Sequence, residues 1–383
     1  MNHRSLYAAF DIYPSAKGAA THIYKMAETL FSAFSGGLLF VIGNEKLPQH
    51  QVENNIEIIR IVSTEKNYLL RALEFSTLLN EKIQLVPHLE LCHYRDIWGG
   101  LALELPGKKY KTVFEVNALT SVELPYRYPD IQPETIEKIQ KTELHCLHAA
   151  DKIIVPSEVI KLFLINKGIN PDKIEKISNG AEACVPMQNI NVPDSYIIYF
   201  GALQAWQGVD VLLKAFAGLT DYENLKLVIC ASNRERFAKQ YIKLSEKLEI
   251  DNRVIWKFQL SKSELSAYVQ HALISVVPLK ETTRNIEQGC SPLKIFESMA
   301  ARCCIVASDL PVVNEILTQN ISGKLVEPDR PAQLSRAIRY LIDMPKVRSQ
   351  LANEAYNEYK RYYTWKKIQQ KLASVYTELR IFE

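Results

Sequence analysis

The sequence predicts an α/β protein built from two doubly wound parallel-sheet domains in tandem, and three observations carry that reading. Short apolar runs of strand length alternate with amphipathic helical patterns from Leu6 to Lys167, and strands joined through helices pair in parallel with both faces of the sheet covered. The alternation stops in a polar stretch, 179–194, that contains Asn-Gly, Pro186 and Pro193, and it restarts at Tyr196. The chain has 383 residues, 47% of them hydrophobic and 23% charged, which is length for two domains and a globular composition. Fourteen glycines and seventeen prolines exclude a collagen-like or low-complexity chain.

In the first half, Leu6–Asp11 reads as a strand, the turn residues Pro14, Ser15 and Gly18 as a loop, and Ala20–Phe34 as a helix. Further strands are expected at Leu38–Ile42, Ile56–Val62, Leu89–Tyr94, Val113–Val116 and Lys152–Val155. Helices are expected at Leu69–Leu79, Glu134–Ala149 and Glu158–Lys167. In the second half the order is strand Tyr196–Phe200, helix Gly208–Ala217, strand Leu225–Cys230, helix Glu235–Leu248 and strand Arg253–Lys257. It continues with helix Lys262–His271, strand Leu273–Val277, helix Leu293–Ala301 and strand Cys303–Ala307, with a helical tail from Pro331. The domain boundary is placed in the polar stretch, giving domains 1–190 and 191–360, whose strand-end loops can face one another across a cleft, where such sheets bind ligands.

Several function classes are excluded early. The longest apolar stretch, Leu30–Ile42, is interrupted by Ser32, Ser35, Gly36 and Gly37 and is too short to span a bilayer. The start MNHRSLYAAFDIYPS lacks the organisation of a secretory signal, which predicts a cytoplasmic protein. Seven cysteines, an odd number without a Cys-x-x-Cys pair, are expected to be buried reduced thiols. A net charge of +3 does not suggest a nucleic-acid binder; residues 1–190 carry 20 basic against 22 acidic side chains and 191–383 carry 26 against 21, a mildly basic second half that suits an anionic ligand.

Two segments point to such a ligand. In YFGALQAWQGVDVLLKAF (199–216) a strand ends in a loop with Gly201 and Gly208 and enters a helix, whose N-terminal N–H groups and dipole attract phosphate; the plain alternative is a turn with two convenient glycines. In PLKETTRNIEQGCSPLKIFESMA (278–300) a polar loop passes through Gly289, Cys290, Ser291 and Pro292 into a helix. Ser291 is expected to cap that helix and Pro292 to occupy its first turn. Lys294 would complete an anion pocket, and Glu297, one turn on, could accept hydrogen bonds from a diol such as ribose. The alternative is a capped helix with a surface Lys294–Glu297 ion pair. His145 and His148 lie i, i+3 on a helix, with a solvated face the ordinary reading and no metal site assigned. His22 opens the first helix, and His93 and Arg95 follow a strand toward the cleft, each equally consistent with a structural role. Tyr359, Tyr362, Tyr363 and Trp365 read as packing.

These residues resemble a known family. G-x-L-x-x-W-Q-G-V-D-x-L-L-x-A-F (Gly201–Phe216), S-P-L-K-x-x-E-x-M-A (Ser291–Ala300) and V-A-S-D-L-P-x-V-x-E-I (Val306–Ile316) look like the nucleotide-sugar domain of retaining glycosyltransferases of family 4, which have the GT-B fold. Y-P-S-x-K-G-A-A-T-H-I (Tyr13–Ile23) resembles that family's N-terminal glycine loop, and F-E-V-N-A-L-x-S-x-E-L (Phe114–Leu124) its acceptor-domain strand end. A-D-K-I-I-V-P-S-E (Ala150–Glu158) with S-N-G-A (Ser178–Ala181) resembles its run toward the linker.

The resemblance implies transfer of a sugar from a nucleoside-diphosphate sugar, a substrate rather than a cofactor, to a hydroxyl of a glycan or lipid-linked glycan in surface polysaccharide synthesis. It implies a front-face mechanism without a metal, in which the leaving phosphate helps to deprotonate the acceptor. Glu297 would hold the ribose hydroxyls, Lys294, Gly201 and the backbone of Ser291, Pro292 and Leu293 would surround the diphosphate, and Gly18 would close over it. Helices from about 361 to 383 would pack back on the first domain, their aromatic residues filling the crossing. A weak peripheral association with the inner face of the membrane is a further expectation, although no strongly basic amphipathic helix supports it.

Three departures stand out. Many members of the family it resembles carry a Glu where this chain has Gly289, for which Glu287 or Gln288 would substitute; many carry an Arg and a Lys where it has Ala202 and Gln207, which would leave Lys294, with Arg284, as the positive charge; and a His is frequent at Asn117, so that Asn117 or Glu115 would face the sugar. The rival readings are a nucleotide-sugar epimerase on a similar scaffold and a non-enzymatic two-domain sugar-binding protein.

Overall fold

The computed structural model describes residues 3–15, 18–184 and 191–381. They form two compact units, one of residues 3–15, 19–178 and 369–381, the other of residues 18, 179–184 and 191–368. Ala16 and Lys17 of the glycine-loop motif, and Pro186 of the polar stretch, lie outside the described residues.

The first unit runs β1 (Ser5–Ile12), α1 (Gly18–Phe34), β2 (Gly37–Ile42), β3 (His50–Glu53), β4 (Ile56–Ile61), α2 (Tyr68–Gln84), β5 (Leu91–Tyr94) and α3 (Ile97–Leu103). It continues with β6 (Lys111–Glu115), α4 (Thr120–Arg127), α5 (Pro133–Ala149), β7 (Lys152–Val155), α6 (Glu158–Asn166) and β8 (Ile174–Lys176). The sheet order is β3-β4-β2-β1-β5-β6-β7-β8. Every pair is parallel except β3 with β4. Strand order moves outward from β1 in both directions, so the topological switch point lies between β1 and β5, where doubly wound sheets take ligands beyond the carboxyl ends of the strands.

Side-chain alternation then sorts the faces. Leu6 and Ala8 of β1, with Cys92 and Tyr94 of β5, join a core with Phe75, Leu79, Trp98, Cys146 and Leu164. Tyr7 and His93, opposite one another in the register, point to the other face with their rings 4.8 Å apart.

The second unit contains β9 (Tyr196–Gly201), α7 (Val209–Ala217), β10 (Lys226–Ala231), α8 (Lys239–Lys247), β11 (Val254–Phe258), α9 (Lys262–His271) and β12 (Ile274–Val277). It goes on with α10 (Leu293–Ala300), β13 (Cys304–Ser308), α11 (Pro311–Asn314), β14 (Lys324–Val326), α12 (Pro331–Asp343) and α13 (Pro345–Glu358). The helix α14 (Trp365–Ile381) closes the chain. The six strands are all parallel, in the order β11-β10-β9-β12-β13-β14, with the switch point between β9 and β12. Tyr196 to Phe200 are at most 2% exposed, as expected for a central strand covered on both faces.

The first unit ends at Ser178 and takes up the chain again at Gln369, where the sequence reading set 190 and about 361. The reason is local: Ala181 forms a β-bridge with Thr364, its N–H donating to the Tyr363 carbonyl at 3.0 Å, and this ties 179–184 to the second unit. Of the aromatic run, Tyr363 packs against Phe296 with the rings tilted and 4.9 Å apart, Tyr359 and Trp365 are buried, and Tyr362 is half exposed.

Sequence periodicity passed over β3, β8, β14, α3, α4 and α11. The three strands have three or four residues each, α11 has four, α3 carries Gly99 and Gly100, and α4 contains Pro125. The expected helix from Glu235 opens instead as a 3₁₀ turn, Glu235–Phe237, ahead of α8. All seven cysteines are free, and all but half-buried Cys184 are buried. Among the described residues no helix is long and apolar enough to cross a membrane, and no group of three His, Cys, Asp or Glu side chains could hold a metal ion.

Candidate functional site

At the switch point of the second sheet β9 ends in Gly201, whose φ of +126° is a left-handed conformation that a side chain would strain. A Cβ there would stand 3.4 Å from the Lys294 ammonium. Gly208, the N-cap of α7, has φ +71°, and a Cβ on it would lie 1.7 Å from the carbonyl oxygen of Pro278, so the approach of these two loops admits only glycine. The loop after β12 is held to the first one: Lys280 N–H and Asn285 Nδ2 donate to the Trp206 carbonyl at 3.0 and 3.1 Å, and Arg284 lies 4.9 Å over the Trp206 ring.

Through one π-helical turn, Arg284–Gln288, and Gly289 (φ +87°) the chain enters α10. The N-cap is Pro292, with no side-chain cap and no acidic residue in the first turn. Ser291 therefore does not cap the helix; its hydroxyl is buried without a hydrogen-bond partner, while its carbonyl accepts from Asn179 Nδ2 at 2.8 Å. An uncapped helix N-terminus leaves N–H groups and partial positive charge available to an anion.

Lys294 is only 8% exposed. Its Nζ donates to Gln207 Oε1 at 2.5 Å and lies 4.2 Å from the centre of the Tyr199 ring. Burial pushes the ammonium down to about 7, against the pull of Cys290 and Glu297. No Lys294–Glu297 ion pair forms. Glu297 is half-buried, and no described residue donates a hydrogen bond to its carboxylate; burial raises its carboxyl above the ordinary range, opposed by Lys262 and Lys294.

The first unit has its own polar cluster at its switch point, centred on Glu115 at the end of β6, 2% exposed. Tyr7 Oη donates to Oε2 at 2.8 Å and Arg95 Nη1 to Oε1 at 2.7 Å. Asn117 Nδ2 also donates to Oε1. His22 Nε2 of α1 lies 2.9 Å from Oε1 and His93 Nε2 3.2 Å from Oε2. His93 Nδ1 is 2.7 Å from the Tyr376 hydroxyl of α14. Burial alone would raise the Glu115 carboxyl, but His22 and Arg95 outweigh it and hold it well below the usual carboxylate range. Burial drives the Tyr7 phenol well up and keeps His93 below the ordinary imidazole value. Next to it Asp96 caps α3, accepting from Trp98 and Gly99 N–H, and also takes the Phe10 N–H at 2.6 Å; burial lifts its carboxyl to about 6.

The sequence matches the family model described as "Glycosyl transferases group 1" over residues 185–358 and the one described as "Glycosyltransferase Family 4" over residues 16–183. The chain belongs to glycosyltransferase family 4. It is 23% identical over 303 residues to the D-inositol 3-phosphate glycosyltransferase of Corynebacterium glutamicum, covering 74% of this chain and 68% of that one. It is 24% identical over 234 residues to the O-antigen chain mannosyltransferase of Salmonella typhimurium, covering 60% and 61%.

Two solved structures share the fold. The sucrose-phosphate synthase of Thermosynechococcus elongatus superposes with a TM-score of 0.80 at 17% identity, over 99% of this chain and 100% of that one. Anabaena HepE in complex with UDP and glucose does so with a TM-score of 0.76 at 16% identity, over 98% and 99%. The fold of this glycosyltransferase is thus GT-B, with two parallel-sheet α/β domains.

Within the second unit of the glycosyltransferase, Gly201 ends β9, Gln207 and Gly208 precede α7, Ser291 precedes α10, and Lys294 in the first turn of α10 reaches Gln207. Of the two substitutes considered for the acid missing at Gly289, Glu287 is exposed, whereas Gln288 is 1% exposed with its Nε2 3.5 Å from the Gly289 carbonyl. Arg284 is stacked on Trp206 and bonded to Asn285 Oδ1 at 3.1 Å. Gly18 opens α1. In the first unit His22, His93, Arg95 and Asn117, read from separate segments of the sequence, converge on the carboxylate of Glu115, which is buried among them. Tyr7, Asp96 and Tyr376 were not foreseen. Tyr7 sits in an apolar strand and Tyr376 lies 283 residues from His93, so no local pattern links them.

Proposed function

We propose that this glycosyltransferase moves a sugar from a nucleoside-diphosphate sugar to a hydroxyl acceptor with retention of anomeric configuration, the acceptor being a glycan or lipid-linked glycan of a surface polysaccharide. The observation that carries the donor assignment is the buried Lys294 side chain at the uncapped N-terminus of α10, against the open backbone of Gly201 at a topological switch point. In this reading the second unit binds the donor: Lys294, Gly201 and the backbone of Ser291, Pro292 and Leu293 take the diphosphate, and Glu297, free of protein donors, takes the ribose hydroxyls. The UDP and glucose bound by HepE and the O-antigen role of the mannosyltransferase support the donor and polysaccharide assignments.

The first unit takes the acceptor, with Asn117 and Arg95 held in place by Glu115. The departing phosphate accepts the proton of the acceptor hydroxyl, and the protein contributes positioning and a preorganised positive environment for the leaving group. The donor is a substrate and no cofactor enters. In the same reading the enzyme works in the cytoplasm, weakly associated with the inner face of the membrane. A thermal-shift screen with UDP, GDP, ADP and their sugars tests the donor site, since a ligand of the folded state raises apparent stability. No shift with any of them would remove the assignment, and an inverted product anomer by proton NMR would remove retention.

A further inference from the structure

Lys294 is a buried cation with neutral partners. Its Nζ meets the Gln207 amide oxygen, the face of Tyr199 and the bare backbone of Gly201, and no carboxylate lies within 4.0 Å of it among the described residues. The Tyr199 hydroxyl is turned away to the Ala202 carbonyl at 2.6 Å, and burial keeps that phenol protonated. On its own segment Cys290 and Glu297 act on the ammonium only through space, and Glu297 is shared with Lys262 of α9. Across the loops Asp210 is paired to Lys280 at 3.1 Å and Arg284 is spent on Trp206 and Asn285. An amide dipole and a π face compensate only part of an ammonium's lost hydration, so the neutral amine competes with the charged form in this pocket.

Resting on the donor reading above, we propose that Gln207 is a positioning residue that holds Lys294 as a desolvated amine poised to protonate, and that binding of a nucleoside-diphosphate sugar draws one proton from solvent onto its Nζ. The balance is simple. The lone pair of the amine takes a proton from water or buffer, the ammonium pairs with a diphosphate oxygen, and the proton returns to solvent when the nucleotide product leaves. The amide of Gln207 is what makes this work, because its neutral oxygen orients Nζ without holding the proton on it, whereas a carboxylate there would keep the ammonium charged in the empty site.

The test is isothermal titration calorimetry of the full chain with UDP-glucose, GDP-mannose and ADP-glucose, whose diphosphates do not titrate in this range, in phosphate and Tris buffers that differ in ionisation enthalpy. Lys294 is half discharged near 7, so proton uptake should be small at about pH 6 and approach one per bound nucleotide at about pH 8.5, with affinity falling by up to about tenfold per pH unit above 7. Lys294→Arg, charged throughout, should bind without uptake. Gln207→Glu should abolish uptake and flatten the pH profile while weakening binding. Binding of a probe without uptake in the native chain, or uptake that survives in Lys294→Arg, would overturn the inference and leave the donor site standing. Failure of all three probes to bind at every pH would overturn the donor reading, and this inference with it.

Discussion

At the scale of the residue, the two carboxylates that the sequence put forward have opposite surroundings and opposite expected behaviour. Glu297 is half-buried with no donor, so Glu297→Ala should leave the urea midpoint close to native and weaken nucleotide binding by about 1.5–3 kcal/mol, the worth of a charged hydrogen bond. Glu115 is buried among Tyr7, Arg95, His22, His93 and Asn117, and Glu115→Gln removes the charge these groups surround. Breaking a buried pair of this kind costs roughly 3–5 kcal/mol, so chemical denaturation should show a large stability loss where Glu297→Ala shows little. Lys294→Ala at saturating donor should lower turnover by about 10²–10³, with a smaller effect on binding, because the leaving diphosphate gains charge in the transition state. Lys294→Arg should recover part of that rate, since a planar fork sets its charge elsewhere.

At the scale of the element, the tight approach of the loop before α7 to the loop after β12 depends on Gly208. With φ +71° and the Pro278 carbonyl 1.7 Å from where a Cβ would stand, Gly208→Ala must separate the loops that carry Gln207 and Asn285. It should lower the urea midpoint and reduce nucleotide affinity together, both measurable on the same preparation, whereas a turn glycine without this contact would move neither.

The edge of the first sheet makes a separate pH prediction. Glu57 of β4 is ion-paired with His3 at 2.6 Å and Lys82 at 2.9 Å; burial opposes its ionisation, yet these partners hold its carboxyl near 2. A folded value below the unfolded one means the contribution is complete above about pH 4.5 and is lost between about pH 4.5 and 2. Urea midpoints of the native chain should therefore fall more steeply over that window than those of Glu57→Gln.

At the scale of the whole molecule, the chain's last helix belongs structurally to its first residues. Leu372, Val375, Tyr376 and Leu379 form the buried stripe of α14 from Gln369 onward, Gln369 Nε2 donates to the Lys25 carbonyl at 3.1 Å and to Glu28 at 2.8 Å, and Arg380 lies 4.3 Å over Phe34. Burial of such side chains contributes roughly 1.5–3 kcal/mol each. A chain ended after Ile368 should lose protection of α1 in hydrogen exchange and leave His93 without the Tyr376 hydroxyl, while β9 to β13 keep theirs.

What the sequence determined by itself is the material whose information is local. The central strands read as apolar runs because both faces are buried, the longer helices read by their period, and the Gly201–Phe216 and Ser291–Ala300 motifs read because backbone conformation at glycine and a helix N-terminus are properties of neighbouring residues. The family and the two-domain α/β plan were therefore legible. Tertiary structure alone decided the rest. Lys294 was read as a cation at a helix N-terminus, but its burial, and the Gln207 amide that its Nζ meets from 87 residues away, are properties of the folded chain. Ser291 was read as a cap, but the chain enters α10 one residue later, through Pro292. His22 on α1, His93 and Arg95 at β5 and Asn117 after β6 were read from separate segments, and only the fold that sets β5 beside β6 and α1 against them brings these four to the Glu115 carboxylate. Electrostatics and solvation act through space, and a sequence records only what lies along the chain.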